Sequence, residues 1–309
     1  MAKVIDCFMF FDEFDALTIR LHELDPVVDR FVLVEASTTH SGMPKPFSFT
    51  ERADEFREFA HKITTVHVHD LPTFDNRWIA EHLQRNAALR GLTDAAADDI
   101  VLVCDCDEIP RASAVRALPE VLAHPGDVVG LQMAVSYYAL NLRSRDLWNR
   151  ARATRRLTLD YVSPQELRTM YVDNDRQLAD AGWHFSYLAP QQERIAKIET
   201  KAGAFAHREL DITPLVNDDS LRKAVAKDVP WWQGVGPSVG QGVLHRVPVD
   251  ETFPAVVRAD PRRWRDYVAD GAGDWRYELG YQVEKSKEKV VTFQQRATRK
   301  LRKLVRTAR

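Results

Sequence analysis

Along the first 190 positions, short apolar runs alternate with segments in which apolar residues return at helical spacing. Residues 3–11, KVIDCFMFF, are dominated by β-branched and aromatic side chains and predict a buried strand. In 13–24, Phe14, Leu17, Leu21 and Leu24 recur every three or four positions and Asp25-Pro26 ends the pattern, which predicts a helix. RFVLVEAS (30–37) predicts a second strand, whose polar end opens the loop THSGMPKPFSF. The alternation continues through a strand over 62–71, a helix over 78–92 and a strand over 98–110. Strand–helix–strand units of this kind predict a parallel sheet, and ligands of such sheets gather beyond the carboxyl ends of the strands.

A helix over 111–123 and a strand over 127–140 follow. Residues 141–180 are richer in Arg and Asp, with shorter apolar runs, and predict irregular, antiparallel structure. AGWHFSYL (181–188) predicts another strand and 193–205 a helix. Past about residue 246 the pattern weakens, so the expected division is a catalytic unit over 1–245 and an extension over 246–309.

Composition supports an ordered globular chain. Of 309 residues, 45% are hydrophobic and 28% charged, with only 13 Gly and 15 Pro, which excludes a collagenous or largely disordered protein. Three cysteines are too few for a disulfide framework, and the one-residue gap between Cys104 and Cys106 does not match a zinc knuckle. The opening carries acids where a signal peptide would place its cleavage site, and no run reaches 18 apolar residues, so the expectation is a cytoplasmic chain.

The net charge of −2 hides an asymmetry. Residues 285–309 hold ten Lys or Arg and one acid, a net of +9, which leaves −11 for residues 1–284. Val290, Phe293, Ala297, Leu301, Leu304 and Ala308 share one helical stripe among these bases. This is the pattern of a basic amphipathic helix, which either packs on the acidic body or rests on an anionic membrane, here its inner face; nucleic acid is not the expected partner.

The sharpest chemical signal is VLVCDCDEIPR (101–111). Four apolar residues drive a buried strand, and Asp105, Asp107 and Glu108 appear where it emerges. Residues two apart in an extended chain face the same side, so Asp105 and Asp107 would present two carboxylates to one point. That suits a hard divalent cation, Mg²⁺ or Mn²⁺, shared with a diphosphate. A phosphotransferase built on the same pair would want Ser or Thr two residues after the second Asp, where Ile109 and Pro110 follow instead. A catalytically silent glycan-binding protein would have no need to keep both carboxylates.

Several segments together resemble glycosyltransferase family 17. They are FMFFDEFDALTIRLHELDPVVDRFVLVEASTTHSGMPKPFSF, with its E-F-D-x-L and R-x-H-E-L elements, VCDCDEIPR, and AGWHFSY, in the family's order over about residues 3–210. The resemblance implies a GT-A nucleotide-diphospho-sugar transferase fold, Rossmann-like with a mixed sheet and here a helical C-terminal extension. It also implies inverting transfer from a UDP-sugar, UDP-N-acetylglucosamine first, to a glycan or glycolipid acceptor. Carried over by position, Asp105 and Asp107 would hold Mn²⁺ or Mg²⁺ against the donor diphosphate, with Glu108 bracing the loop. The animal members' membrane anchor and stem have no counterpart in the opening, so a bacterial-type member is expected.

Other residues take roles from their placement. Glu35, Ser37, His40 and Lys45, at or after the end of the second strand, are expected to meet base or ribose, with Lys45 reaching a phosphate. Arg85 would pair with the diphosphate or with the acidic strand end. Among His184, His207 and His245, His184 is the first choice to close a metal shell. Trp183 offers an apolar face to a pyranose, and His207, Trp231 and Trp232 are assigned to the acceptor side. Inverting transfer needs a base, for which Glu209 ranks ahead of Asp180 and Glu193. The Gly-rich stretch 234–242 follows no apolar strand and is read as an acceptor-side loop. His67 and His69 share a strand face but lack a third ligand.

Overall fold

A computed structural model describes residues 2–69, 71–72, 76–204 and 244–270. Its first 105 residues follow the predicted alternation: β1 (Val4–Met9), α1 (Phe14–Leu24), β2 (Arg30–Ala36), the short α2 (Ser48–Glu51), β3 (Ile63–Val68), α3 (Arg77–Asn86) and β4 (Ile100–Asp105). β1 lies parallel between β2 and β4, and β3 extends the sheet beyond β2.

The continuous apolar runs have a direct cause, since both faces of these strands are covered. On one face Phe8, Phe31, Leu33, Leu102 and Cys104 pack with Leu17, Leu21 and Leu24 of α1. On the other, Ile5, Cys7, Val32, Val34, Val101 and Val103 pack with Ala80 of α3 and with Leu167. Alternation along each strand assigns the polar residues to faces as well. Asp6 shares the α1 face with Phe8, and Asp105 shares the opposite face with Val101 and Val103.

The predicted strand 98–110 is two strands. β4 ends at Asp105, Cys106 and Asp107 form a turn, and β5 (Glu108–Pro110) leaves to pair with another partner. After α4 (Ala112–Val121), β6 (Val128–Tyr137) is flanked by antiparallel β7 (Leu142–Trp148) and β8 (Arg152–Arg155), and β8 joins β4 antiparallel. The segment predicted as irregular and antiparallel thus supplies the antiparallel half of one mixed sheet, ordered β10 (His245–Arg246), β7, β6, β8, β4, β1, β2, β3. This is the mixed α/β sheet expected of a GT-A fold. α5 (Pro164–Thr169) starts at a capping box between Ser163 and Glu166.

β9 (Gln177–Ser186) starts earlier than predicted and pairs with both β5 and β6. α6 (Arg194–Ala204) follows as predicted, and β10 (His245–Arg246) adds to β7. Part of the expected extension packs on the body: Phe253, Val257 and Trp264 bury against Ile19, Ile109 and Trp183. The amphipathic tail 285–309 and the Gly-rich stretch 234–242 lie outside the described residues. Among the described residues no helix is long and apolar enough to cross a membrane.

Candidate active site

The turn after β4 is fixed from below by a buried pair. Arg20 of α1 and Asp6 of β1 occupy the same face of the sheet and are fully buried. The guanidinium donates to Asp6 through Nε (2.7 Å) and Nη2 (2.5 Å), and its Nη1 donates to the carbonyls of Asp105 (3.0 Å), Cys106 (3.3 Å) and Glu108 (2.7 Å). One side chain therefore ties three backbone carbonyls of the acidic turn to the first strand. Only a planar, multiply donating cation can do so.

On the opposite face a second network fixes the carboxylates. Glu108 is fully buried and accepts from the Asp105 backbone N–H (2.9 Å), from Trp148 Nε1 and from both terminal nitrogens of Arg168. Burial works to raise its pKa, but the Arg168 charge outweighs it and holds the carboxyl low. This is the bracing role expected of Glu108. Asp105 accepts from Arg85 Nη2 (3.0 Å) on one oxygen and from Arg168 on the other. Against the pull of burial, Arg168 and Arg85 keep it well below the ordinary carboxylate range. Arg85 also pairs with Glu81 at 2.7 Å and donates to Gln165, so it takes the acidic strand end as its partner.

Asp107 has separate partners. Its Oδ2 lies 3.1 Å from Lys201 Nζ and its Oδ1 3.5 Å from His184 Nε2. The same lysine lies 2.9 Å from Glu13 Oε1. Burial disfavours the ammonium, yet Asp107 and Glu13 raise its pKa well above the ordinary value. Burial also works against the Glu13 charge, and Lys201 with Lys197 pulls that carboxyl down to about 2. Lys197 anchors Asp12 at 2.8 Å.

The β5–β9 register explains the Gly-Trp-His segment. Glu108 pairs with His184, Ile109 with Trp183 and Pro110 with Gly182. A Cβ on Gly182 would sit 2.2 Å from the Ile109 carbonyl oxygen, so only glycine admits this approach. Strand alternation then turns His184 toward Asp107 and Trp183 the other way. Trp183 is buried, donates Nε1 to the Thr252 carbonyl (2.9 Å) and lies under the Arg111 guanidinium. It does not line the cavity expected to receive a sugar.

These groups surround a cavity of about 510 Å³ at the carboxyl ends of β1, β2 and β4. Its lining holds five bases, Lys45, Arg85, Arg150, Arg168 and Lys201, against four acids, Glu13, Glu81, Asp105 and Asp107. His40, Lys45, Arg85, Asp105, Asp107 and His184 all stand in its wall. His40 is buried against Gln84 (2.8 Å), and burial lowers its pKa.

Glu35 and Ser37 are not in that wall. Glu35 points into the α2 side of the structure, where the backbone N–H groups of Phe49 (2.7 Å) and Thr50 (3.3 Å) donate to it, and burial raises its pKa. It anchors the far end of the loop. The Ser37 carbonyl accepts from the Lys45 N–H at 2.9 Å, which pins the loop at its base. Asp180 adopts a positive φ of 51° and pairs with Arg111 at 2.9 Å, also away from the cavity wall. Glu209, His207, Trp231 and Trp232 lie outside the described residues.

Asp105 and Asp107 take separate partners, Arg85 and Arg168 for the first, Lys201 and His184 for the second. The turn at Cys106 breaks the extended geometry that would have aimed Asp105 and Asp107 together. Among the described residues no three His, Cys, Asp or Glu side chains form a group able to hold a metal ion. Both Asp105 oxygens carry guanidinium partners, and Asp107 carries an ammonium. The described residues do not fit Mn²⁺ or Mg²⁺ in this arrangement.

Arg20, Arg168, Lys201, Arg150 and Trp148 were not singled out from the sequence. Arg20 stood within the R-x-H-E-L element, which gave a signal of family resemblance without a role. Arg168 and Lys201 reach Asp105 and Asp107 across 63 and 94 positions of chain, and no local spacing announces such pairs.

The glycosyltransferase family 17 model matches residues 1–229, and the chain belongs to that family. Two curated relatives, from rat and human, are each named beta-1,4-mannosyl-glycoprotein 4-beta-N-acetylglucosaminyltransferase. Each is 33% identical over 124 residues, which is 38% of this chain and 23% of the relative, so the match spans about a quarter of the relatives' length. Among solved structures, the mannosyltransferase PcManGT from Pyrobaculum calidifontis in complex with GDP-Man and Mn²⁺ aligns over 53% of this chain and 50% of its own. The TM-score is 0.34 and the identity 16%.

Proposed function

We propose that the chain transfers a sugar, N-acetylglucosamine first among candidates, from a UDP-sugar to a hydroxyl of a glycan or glycolipid acceptor, with inversion at the anomeric carbon. The observation that carries this reading is the cavity at the carboxyl ends of the parallel strands, with Asp105 and Asp107 in its wall and a surplus of bases over acids. That is the crevice where α/β sheets bind nucleotides, and the family membership directs it to sugar transfer. N-acetylglucosamine is the sugar in the relatives' names.

In the reaction the acceptor oxygen bonds to the anomeric carbon as the bond from that carbon to the diphosphate oxygen breaks. The electron pair of the broken bond stays on the leaving diphosphate. The acceptor proton passes to a carboxylate base, for which Glu209 is retained because Asp180 is tied to Arg111. Lys45, with burial lowering its pKa, is assigned to a phosphate.

A donor panel tests the reading. The full chain should release UDP from UDP-N-acetylglucosamine in the presence of oligosaccharide acceptors, and Asp105→Asn should lower the rate by about 100-fold. Release of no nucleoside diphosphate from any UDP- or GDP-sugar would contradict it.

A further inference from the structure

The carboxylates of the cavity come with cations already attached, and this bears on how the diphosphate is held, given the donor reading above. Lys201 reaches in from α6 with its ammonium between Glu13 (2.9 Å) and Asp107 (3.1 Å), buried and held on two sides. This is the position where the family resemblance expects a divalent cation. Asp105 is equally committed, to Arg85 and Arg168.

Two further cations face the same cavity. Lys45 lies 5.7 Å above the Phe11 ring and donates to the Pro46 carbonyl at 3.1 Å. Arg150 is exposed at the wall. Neither is held in an ion pair by a carboxylate among the described residues. A diphosphate entering the cavity therefore meets two uncommitted positive charges, beside an acidic turn whose own charge Lys201, Arg85 and Arg168 have already offset.

We propose that the donor diphosphate is held by the chain's own cations, with Lys201 standing at Asp107 in place of a divalent metal ion and Lys45 and Arg150 contacting the phosphates. The ammonium is a compact point charge in a partly desolvated wall, where an electrostatic contact is stronger than in water. When the anomeric carbon–oxygen bond breaks, the electron pair left on the diphosphate oxygen is stabilised by these fixed positive charges. No reductant, oxidant or extra proton enters the step. Glu13 acts as the positioning residue, because it fixes the lysine from the side away from Asp107.

The test is calorimetric titration of UDP into the full chain, once in excess EDTA and once with Mn²⁺. The two affinities should agree within about threefold. Lys201→Met should weaken binding by about tenfold or more, Lys201→Arg should retain most of it, and Arg150→Ala should lose about threefold to tenfold with an unchanged melting temperature. If Lys201→Met does not fold, the metal-free titration of the wild type and Arg150→Ala still decide the matter. Binding abolished by EDTA and restored by Mn²⁺ would overturn the inference and leave the glycosyltransferase reading intact. Binding of neither UDP nor GDP under either condition would overturn both.

Discussion

Asp6 and Arg20, fourteen positions apart and both fully buried, form a two-pronged ion pair at 2.5 and 2.7 Å whose third nitrogen holds the carbonyls of the acidic turn. The pair links the start of the sheet to the site it serves. Arg20→Met leaves a buried carboxylate without its partner and three carbonyls without a donor. It should cost about 3–5 kcal/mol of stability, as read by urea denaturation. Arg52→Ala, which breaks an exposed pair with Glu55, should shift the denaturation midpoint far less in the same assay.

Arg168 joins Asp105 to the buried Glu108. Arg168→Leu should destabilise by about 3 kcal/mol or more, because it strands Glu108 against Trp148 with its main charge partner gone. The double variant Arg168→Leu with Glu108→Gln should recover part of that loss. A cycle that shows simple additivity would contradict the coupling.

Gly182 lies against β5 so closely that a single added carbon meets a backbone oxygen at 2.2 Å. Gly182→Ala should therefore lower stability by about 2–4 kcal/mol and, by pushing β9 off β5, displace His184 from Asp107. Backbone amide exchange at Arg111 and Phe185, whose N–H groups donate to the Ala181 and Asp107 carbonyls across this pairing, would report the loosening. Protection equal to wild type would contradict it.

Glu13 gives the site an acid limit. Its folded pKa near 2 lies below the ordinary 4.5, so its ion pair with Lys201 stabilises the fold fully above about pH 4.5 and the contribution fades as pH falls toward 2. The shift corresponds to about 3 kcal/mol. Stability measured by denaturant between pH 6 and pH 3 should fall less steeply in Glu13→Gln than in wild type.

Much of the sheet was legible in the residues. The runs in β1, β2 and β4 are predominantly apolar because both faces are covered, with Asp6 the interior exception in β1, and that signal needs no knowledge of partners. The break between β4 and β5 was hidden, since Cys104-Asp105-Cys106-Asp107 alternates like a continuing strand while the chain turns at Cys106. The site was half legible. Asp105, Asp107, His184, Arg85 and Lys45, which line the cavity, are marked in the sequence by strand ends and motif order. Trp183 was drawn into the site by its neighbour, although adjacent residues of a strand face opposite ways. Arg168 and Lys201 could not be read at all, because their meaning lies in partners far along the chain.

The most direct test of the central claim is a crystal structure of the chain with UDP. The account places the diphosphate in the cavity between Lys45, Arg150 and Lys201, within hydrogen-bond distance of at least two of them. A nucleotide bound elsewhere, with these side chains untouched, would contradict it.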